Sequence, residues 1–421
     1  MPFGEDTGPT DATAILRSGA DLPAAAPAGP PTLLFAVSVG VIITNLFASQ
    51  TLVGLITPSL GLTAGQAGLV GMLTLAGYAG GLFFLVPLTD RYENRGLILR
   101  TLLCAVAAAA ASAFAPSAGL FLAAAFILGV ASCAIQMLVP IAAAMAEPER
   151  RGRVIGDVMS GLMIGMLLSR PTASLLAGLV DWRAFYLLTA ALMAGLTLVL
   201  ARRLPTRRPE AVHRYPALIA SLGTLLMAEP VLRRRSFTAA LGMAAFSVFW
   251  TAVALLLSQP PFDLGQTGIA VFALLGAGGA IAAPLAGRAG DRGWTKPLLV
   301  LSHLGIIASL GLGFVGGSGF GLPEDTPALL RLALLAGAAL LLDLFVAFDQ
   351  TLGRRAVNLL NPAARGRINA LFVGIFFLGA AAGSALSGVA WATGGWPAVC
   401  AVGAACGLVA LVTDPLLDLH R

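Results

Sequence analysis

Long apolar segments recur through almost the whole sequence, and each is long enough to cross a lipid bilayer as a helix. A hydrocarbon core about 30 Å thick needs about 20 apolar residues per helix. The segments lie near residues 33–57, 66–88, 97–115, 118–146, 154–180, 183–201, 237–259, 266–287, 297–317, 327–350, 366–392 and 396–413. Only 11% of the 421 residues are charged, against about 25% in an average soluble domain. The sequence therefore predicts an all-α membrane protein with twelve transmembrane helices.

Arginines are concentrated in every second loop between these segments, as in "DRYENR", "PERRGR", "GRAGDRGWTK" and "ARGR". Of the arginines, the alternate loops hold only Arg183 and Arg331. Because loops rich in Lys and Arg remain on the cytoplasmic side, both termini are expected in the cytoplasm, with the chain crossing a bacterial inner membrane. Trp182 and Trp396 then fall at the outer interface, where we expect their indole N–H groups to face water.

Polar stretches divide the chain into five parts. Residues 1–31 and 416–421 are predicted to be cytoplasmic tails, the first of them disordered because it is rich in Pro, Ala and acidic groups. Six-helix bundles are predicted at residues 32–201 and 237–415, and a cytoplasmic linker at 202–236 joins them. Within the linker, "YPALIASLGTLLMAE" has apolar residues at helical spacing, which predicts an amphipathic helix on the membrane surface.

An internal repeat relates the two bundles. Adding 214 to a residue number maps "PERRGRVIG", from Pro148, onto "PAARGRINA", from Pro362, and pairs Gln136 with Gln350 without a gap. A weaker register of 202 relates span one to span seven. The sequence therefore predicts two pseudo-symmetric bundles that enter the membrane from the same side. One class of secondary transporter has this arrangement, with its substrate site near the midplane between the bundles.

Loop motifs resemble those of the major facilitator superfamily. The 2–3 loop of that family reads G-x-L-A-D-R-x-G-R-K, and "VPLTDRYENR" here keeps Asp90, Arg91 and Arg95. The matching 8–9 loop, "GRAGDRGWTK", keeps Asp291 and Arg292. Span five carries "GLMIGMLLSRP", which resembles the Gly-and-Pro signature of proton-driven exporters of the family, with the Gly-Pro pair displaced. The resemblance implies the major facilitator fold and transport by alternating access.

The resemblance also implies roles at helix ends and helix contacts. It makes Asp90, Arg91, Asp291 and Arg292 gating residues that cap helix ends and form salt bridges closing the cytoplasmic side. Glycine pairs in spans two, five and eleven leave room for close helix approach. The resemblance places these pairs between the bundles, and static packing is the other interpretation. The pairs are Gly77 with Gly81, Gly161 with Gly165, and Gly379 with Gly383.

Arg170 is a permanently charged residue near the middle of span five. It lies 17 residues after Arg153 and 11 before Asp181, or about 25 Å and about 17 Å along a helix. A charge at the bilayer centre costs about 3 kcal/mol on the insertion scale. We therefore expect Arg170 to face a polar cavity, where it binds an anionic group of the substrate or influences a nearby carboxyl group. Alternatively, it snorkels outward or braces a neighbouring helix.

Asp343, in "LLLDLFVAFDQ", is the carboxylate that the sequence places well inside a span. If Gln350 ends span ten, Asp343 lies about 10 Å into the membrane. Burial disfavours the charged form of a carboxyl group, so Asp343 is a candidate proton carrier; the alternative is a structural partner for Arg354 or Arg355. Direct pairing of Arg170 with Asp343 is not expected, because their depths differ.

Further polar residues lie within or beside the spans. Candidate substrate ligands are the amides on spans that line the cavity in this family: Asn45, Gln50, Gln136 and Gln350. Each amide equally suits a hydrogen bond to a neighbouring helix, at about 0.6–2 kcal/mol. His303 is expected to pack at the periphery of the bundle, and Asp349 to be solvated or salt-bridged at the end of span ten.

The leading hypothesis is a secondary active transporter that exports a small organic molecule, a drug or a metabolite, in exchange for protons. The charge of Arg170 favours an anionic substrate. The alternatives are a proton-coupled uptake symporter and a membrane receptor or scaffold that does not transport. No enzyme activity is expected, because no nucleophile, base and orienting group occur at workable spacing.

Metal and nucleotide sites are not expected either. The four cysteines lack CxxC spacing and the three histidines are scattered, and no Gly-rich phosphate-binding loop is followed by Lys. The proton gradient is thus the expected energy source, with no cofactor. The expected partners are the substrate, protons and the lipid bilayer, without nucleic acid, and the chain is expected to act as a monomer.

Overall fold

The computed structural model describes residues 31–209, 214–361 and 364–416, and these ranges contain helices and no β-strand. The predicted tails lie outside the described residues, apart from Pro31 and Leu416. In the described ranges, nine helices are long and apolar enough to cross a membrane, or ten if the bent first pair forms one span. The eighth span is broken into two shorter helices, and the last helical segment contains two spans. With these two additions the number of spans is twelve, and the predicted all-helical fold is confirmed.

The spans are numbered one to twelve in chain order. The first seven are Thr32–Phe47 with Ser49–Ser59, Ala64–Asp90, Asn94–Ala113, Ala118–Ala144, Pro148–Leu179, Trp182–Arg203 and Pro230–Leu257. The others are Gln266–Ala273 with Gly278–Asp291, Thr295–Ser318, Ala328–Asn358, and Arg365–Leu416, which contains spans eleven and twelve. We call the side of the molecule with the arginine-rich loops the basic face, and the other side the opposite face.

The last helical segment reverses direction at Gly395, whose φ of 61° lies in the left-handed region that favours glycine. Before the reversal, Ser387 Oγ donates to the Val248 carbonyl at 3.0 Å, near the end of span seven. After it, Asp414 accepts hydrogen bonds from Arg235, near the start of span seven. Span twelve therefore runs antiparallel to span eleven.

Equivalent helices pack alike in the two bundles. A Cβ on Gly165 of span five would lie 2.1 Å from the Gly40 carbonyl oxygen of span one. A Cβ on Gly379 of span eleven would lie 2.1 Å from the Ala240 carbonyl oxygen of span seven. Because Gly379 is 214 residues after Gly165, these contacts pair Gly40 with Ala240 and favour a register of 200 for spans one and seven, in place of the predicted 202.

The glycine pairs pack inside the bundles and not between them, contrary to the role that the family resemblance implied. Their partners are span four for Gly77 and Gly81, span one for Gly161 and Gly165, and span seven for Gly379 and Gly383. Close backbone packing suits a permanent contact within a rigid bundle. The bundles meet instead at positions such as Gly68, where a Cβ would lie 2.0 Å from the Ser384 carbonyl oxygen.

The tryptophans at the opposite face do not expose their indoles, in contrast to the sequence prediction. Trp396 is 4% exposed, and its Nε1 donates to the Gly313 carbonyl at 2.8 Å. Trp182 is 3% exposed and packs edge-on against Phe121. Both rings therefore fill their bundles, because neighbouring helices cover the positions that sequence alone assigns to the headgroup region.

The helix Tyr215–Ala228 follows span six and lies at the basic face. The Tyr215 hydroxyl donates to the Phe84 carbonyl of span two at 2.7 Å. Arg367 Nη1 of span eleven donates to Ser221 Oγ at 3.1 Å, while Leu218 and Leu222 are buried. This linker helix thus contacts both bundles.

Candidate functional site

Arg170 lies deep in the protein and is 3% exposed. Its Nε donates to Gln50 Oε1 at 2.9 Å, and its backbone carbonyl accepts a hydrogen bond from the Thr51 hydroxyl at 3.3 Å. Both partners follow the 47° bend of span one between Phe47 and Ser49. Arg170 Nη2 is buried without a hydrogen-bond partner among the described residues, so it remains a donor for a ligand.

Three aromatic rings surround the guanidinium group. Its Cζ lies 4.2 Å from the ring centroid of Trp250, 4.9 Å from that of Phe246 and 5.5 Å from that of Phe47. Cation–π contacts of this length stabilise a desolvated cation by about 2 kcal/mol or more. Phe47 comes from the amino-terminal bundle and the other two rings from span seven, so both bundles enclose the charge.

Asp343 approaches the same guanidinium from the other bundle. Its Oδ1 accepts a hydrogen bond from Trp250 Nε1 at 2.7 Å, and the residue is 6% exposed. A Cβ on Gly276 would lie 3.1 Å from both Arg170 Nη1 and Asp343 Oδ2. The nitrogen and the oxygen are therefore separated by no more than twice that distance. Because residue 276 is a glycine, no side chain enters the space beside the two charged groups.

The expectation that Arg170 and Asp343 differ in depth is corrected by the length of span ten. That helix continues past Gln350 to Asn358, so Asp343 lies 15 residues, or about 22 Å, from its basic-face end. Arg355, on the added turns, pairs with Asp291 and not with Asp343. The structural role considered for Asp343, as a partner of the terminal arginines, does not match these contacts.

The extra turns of span ten also change the environment of Asp349. It is 2% exposed, and its Oδ1 lies 3.2 Å from Nε2 of His303, which is 0% exposed. Of the two expected environments, solvated or salt-bridged, the second is the nearer, because Asp349 pairs with His303; its position at the end of span ten is corrected to the interior of the bundle. His303 packs there as expected, with Asp349 as its partner.

A cavity of about 560 Å³ separates the bundles below Arg170 and Asp343. Its lining extends from these residues to Gly156 and Asn358, at the basic-face ends of spans five and ten. A second cavity of about 450 Å³ at the basic face shares Gln136 with the first. The central site therefore communicates with the basic face.

Close packing shuts the cavity at the opposite face. Ser384 Oγ of span eleven donates to the Gly68 carbonyl of span two at 3.0 Å. In a second contact between the bundles, a Cβ on Gly178 of span five would lie 3.1 Å from the Gln266 Cβ of span eight. The conformation is thus open to the basic face and closed to the opposite face.

The four predicted amide ligands have different positions. Gln136 and Gln350, the pair related by the repeat, both line the central cavity. Gln50 instead holds Arg170. Asn45 Nδ2 points to the Met193 sulfur of span six at 3.6 Å and is not among the lining residues, because that side of span one faces its own bundle.

The predicted gating residues do not meet across the bundles. Asp291 pairs with Arg355 of its own bundle, and Arg91 stacks on the adjacent ring of Tyr92 at 5.9 Å. Asp90 is exposed and borders the cavity at the basic face. Arg292 is exposed in the 8–9 loop. Among the salt bridges of the described residues, none joins these side chains across the bundles.

Sequence reasoning missed Trp250 and Gly276, which complete the site. Tryptophan is most common at the membrane interfaces, and Trp250 lies within span seven. A buried indole N–H normally finds a hydrogen-bond partner. A tryptophan inside a span therefore indicates a buried polar partner and could have pointed to this site. Gly276 is one of 50 glycines, and nothing in the sequence distinguishes it from the others.

Comparisons with known proteins agree with this architecture. The model of the Major Facilitator Superfamily matches residues 33–335. The uncharacterized transporter YgaY of Escherichia coli strain K12 is 35% identical over 380 residues, which cover 90% of this chain and 93% of that protein. A chloramphenicol resistance protein of Streptomyces lividans is 28% identical over 312 residues, covering 73% of this chain and 77% of that protein.

The fold also matches a solved structure. The nucleoside transporter NupG superposes with a TM-score of 0.72 at 15% sequence identity, covering 91% of this chain and 99% of that one. At this identity the match concerns the fold alone. The family match and the E. coli relative go further: the chain is a multi-pass membrane protein that belongs to the major facilitator superfamily of transporters.

Proposed function

We propose that this protein exports a small organic cargo from a bacterial cell in exchange for protons, by alternating access. The observation that carries the proposal is the approach of Arg170 and Asp343, one from each bundle, in a single cavity. Rocking of the bundles changes the surroundings of both groups together. The mechanism requires one chain, the bilayer, cargo and protons, and the proton gradient supplies the energy without a cofactor.

Competition between cargo and proton at Asp343 would couple the two fluxes. An ionised Asp343 balances the charge of Arg170 and offers Oδ2 as an acceptor, while Arg170 Nη2 is a donor without a partner. An uncharged polar group with both a donor and an acceptor fits between them. Protonation of Asp343 removes its negative charge and places an O–H donor where the donor of the cargo would bind, so proton and cargo compete for this group and exchange follows.

The direction of loading follows from the arginine distribution. Loops rich in arginine face the cytoplasm in multi-pass proteins, which supports a cytoplasmic position for the basic face and for both termini. The open cavity then loads cargo from the cytoplasm. The name of the S. lividans relative, a chloramphenicol resistance protein, supports export, because a transporter protects a cell from a drug by removing it.

Proteoliposomes test the coupling. An exchanger accumulates cargo in vesicles with an acidic lumen, whereas a symporter accumulates cargo in vesicles with an alkaline lumen, whatever the orientation of the protein. A pH-sensitive dye in an acidic lumen reports alkalinisation when each member of a compound panel, beginning with chloramphenicol, is added outside. We expect alkalinisation with the wild type and none with Asp343→Asn, which cannot exchange a proton.

Asp349→Asn is the matched control for this experiment. It removes another buried carboxyl from the same helix but leaves an amide that can bond His303, so coupling should persist. Full coupling in Asp343→Asn would exclude that residue from the mechanism. Accumulation only with an alkaline lumen would identify uptake by symport, and binding without flux in either gradient would identify a receptor.

A further inference from the structure

Span ten presents a polar stripe to the central cavity. Asp343, Gln350, Arg354 and Asn358 all line it and are spaced at 7, 11 and 15 residues from Asp343, which places them on one helix face. Arg354 lies about 16 Å from Asp343 along the helix axis. The cavity thus has cationic side chains near its cytoplasmic mouth, Arg354 and Arg355, in addition to Arg170.

Arg354 has no carboxylate partner among the salt bridges of the described residues. Its Nε is buried and makes no hydrogen bond there. The other two arginines of the cavity are balanced, since Arg170 faces Asp343 and Arg355 pairs with Asp291. An unbalanced, partly buried guanidinium favours an anionic ligand.

Spans five and eleven contribute apolar side chains to the cavity. Met159, Met163 and Met166 of span five line it, together with Phe376 and Phe377 of span eleven. Methionine side chains are flexible and polarizable, so they adapt to apolar ligands of varied shape. The cavity therefore combines adaptable apolar side chains with one unbalanced cationic group, Arg354, near its mouth and the Arg170–Asp343 pair at its top.

We infer that Arg354 binds an anionic group of the cargo, and that the cargo is an elongated amphipathic organic anion. Its charged end lies at Arg354, its apolar body along the methionines, and its uncharged polar end between Arg170 and Asp343. This inference rests on the proposed export function and names the substrate class. It moves the anion from Arg170, whose charge Asp343 already balances, to Arg354.

Binding of three matched probes to the purified protein in nanodiscs tests the inference. The probes are 12-hydroxydodecanoate, 1,12-dodecanediol and 12-amino-1-dodecanol, which share one chain and differ in the charge of one end. Calorimetry, with empty nanodiscs subtracted, should show the wild type binding the carboxylate at least tenfold more tightly than the diol, and the amine most weakly. Equal affinity for carboxylate and diol would overturn the inference.

Variants locate the charge. Arg354→Gln should reduce carboxylate affinity to that of the diol, Arg354→Lys should retain most of the preference, and Arg100→Gln, an exposed arginine of span three, should not change it. A carboxylate preference that survives in folded Arg354→Gln would overturn the inference. The lipid of the nanodiscs is phosphatidylcholine, and in a further experiment phosphatidylglycerol replaces a third of it. If the wild type then lost its preference for the carboxylate, the inference would also be overturned, because the site would bind a lipid headgroup.

These outcomes are separate from those of the vesicle experiment. If Asp343→Asn retained proton coupling while Arg354 still selected the carboxylate, the exchange mechanism would fail and the anion site would stand. If coupling required Asp343 but Arg354→Gln retained the carboxylate preference, exchange would stand and the proposed cargo class would fail.

Discussion

The guanidinium of Arg170 resides in the membrane interior because its neighbours replace water. Gln50 accepts one of its hydrogen bonds, the face of Trp250 lies 4.2 Å away, and Asp343 supplies the countercharge. A charge at the bilayer centre otherwise costs about 3 kcal/mol or more. Trp250 makes two contacts in the site: its ring contacts the guanidinium of Arg170, and its N–H donates to the carboxylate of Asp343.

Replacement of Trp250 separates its two contributions. Trp250→Phe keeps an aromatic face but removes the hydrogen bond to Asp343, and hydrogen bonds to charged groups contribute about 1.5–3 kcal/mol. We expect cargo affinity at fixed pH to fall about tenfold, measured by calorimetry, because cargo requires the ionised carboxylate. The control is Trp182→Phe, because Trp182 Nε1 makes no hydrogen bond among the described residues; this variant should bind cargo with wild-type affinity. Equal cargo affinity in the two variants would contradict the role of the Trp250–Asp343 hydrogen bond.

At the scale of helices, glycine permits backbone contact within each bundle. Gly165 and Gly40 bring spans five and one together, and Gly379 does the same for spans eleven and seven. These contacts fix Ser169, whose hydroxyl donates to the Thr44 carbonyl at 2.6 Å, and so fix its neighbour Arg170 against the bend of span one. Helix packing is thus what positions the site.

Gly165→Ala tests this packing. The added methyl would lie 2.1 Å from the Gly40 carbonyl oxygen, and overpacking of this kind costs about 1–3 kcal/mol. Thermal unfolding in detergent should show a melting temperature several degrees below wild type. The control is Gly195→Ala, where nothing lies within 4 Å of the added Cβ; comparable melting temperatures for the two variants would refute the packing argument.

The sequence predicts elements better than it predicts contacts between them. The twelve spans follow from hydropathy, and the duplication follows from the internal repeat. The cost of a buried charge indicates that Arg170 faces a central cavity. The predicted end of span ten at Gln350 is wrong, because polar residues normally mark the membrane boundary and the helix ends at Asn358. Here Arg354 and Asn358 face the cavity instead, so the helix continues and Asp343 lies deeper than the sequence indicates.

For the whole molecule, the decisive feature is a cavity that both bundles line and that only one face reaches. The bundles are closed at Gly68 and Ser384 on the opposite face and are separated at the ends of spans five and ten by the cavity. Sequence could predict that two bundles enclose a site, because the repeat is visible in it. It could not predict which face is open, because packing between bundles decides that.

In the proposed mechanism, cargo and proton exclude each other at the Arg170–Asp343 pair. The most direct measurement is the proton count on binding: cargo is added to weakly buffered, purified protein at a pH where its affinity depends on pH. We expect the wild type to release protons, because cargo selects the ionised carboxylate, and Asp343→Asn to release none. Proton uptake, or no proton exchange by the wild type, would contradict the account.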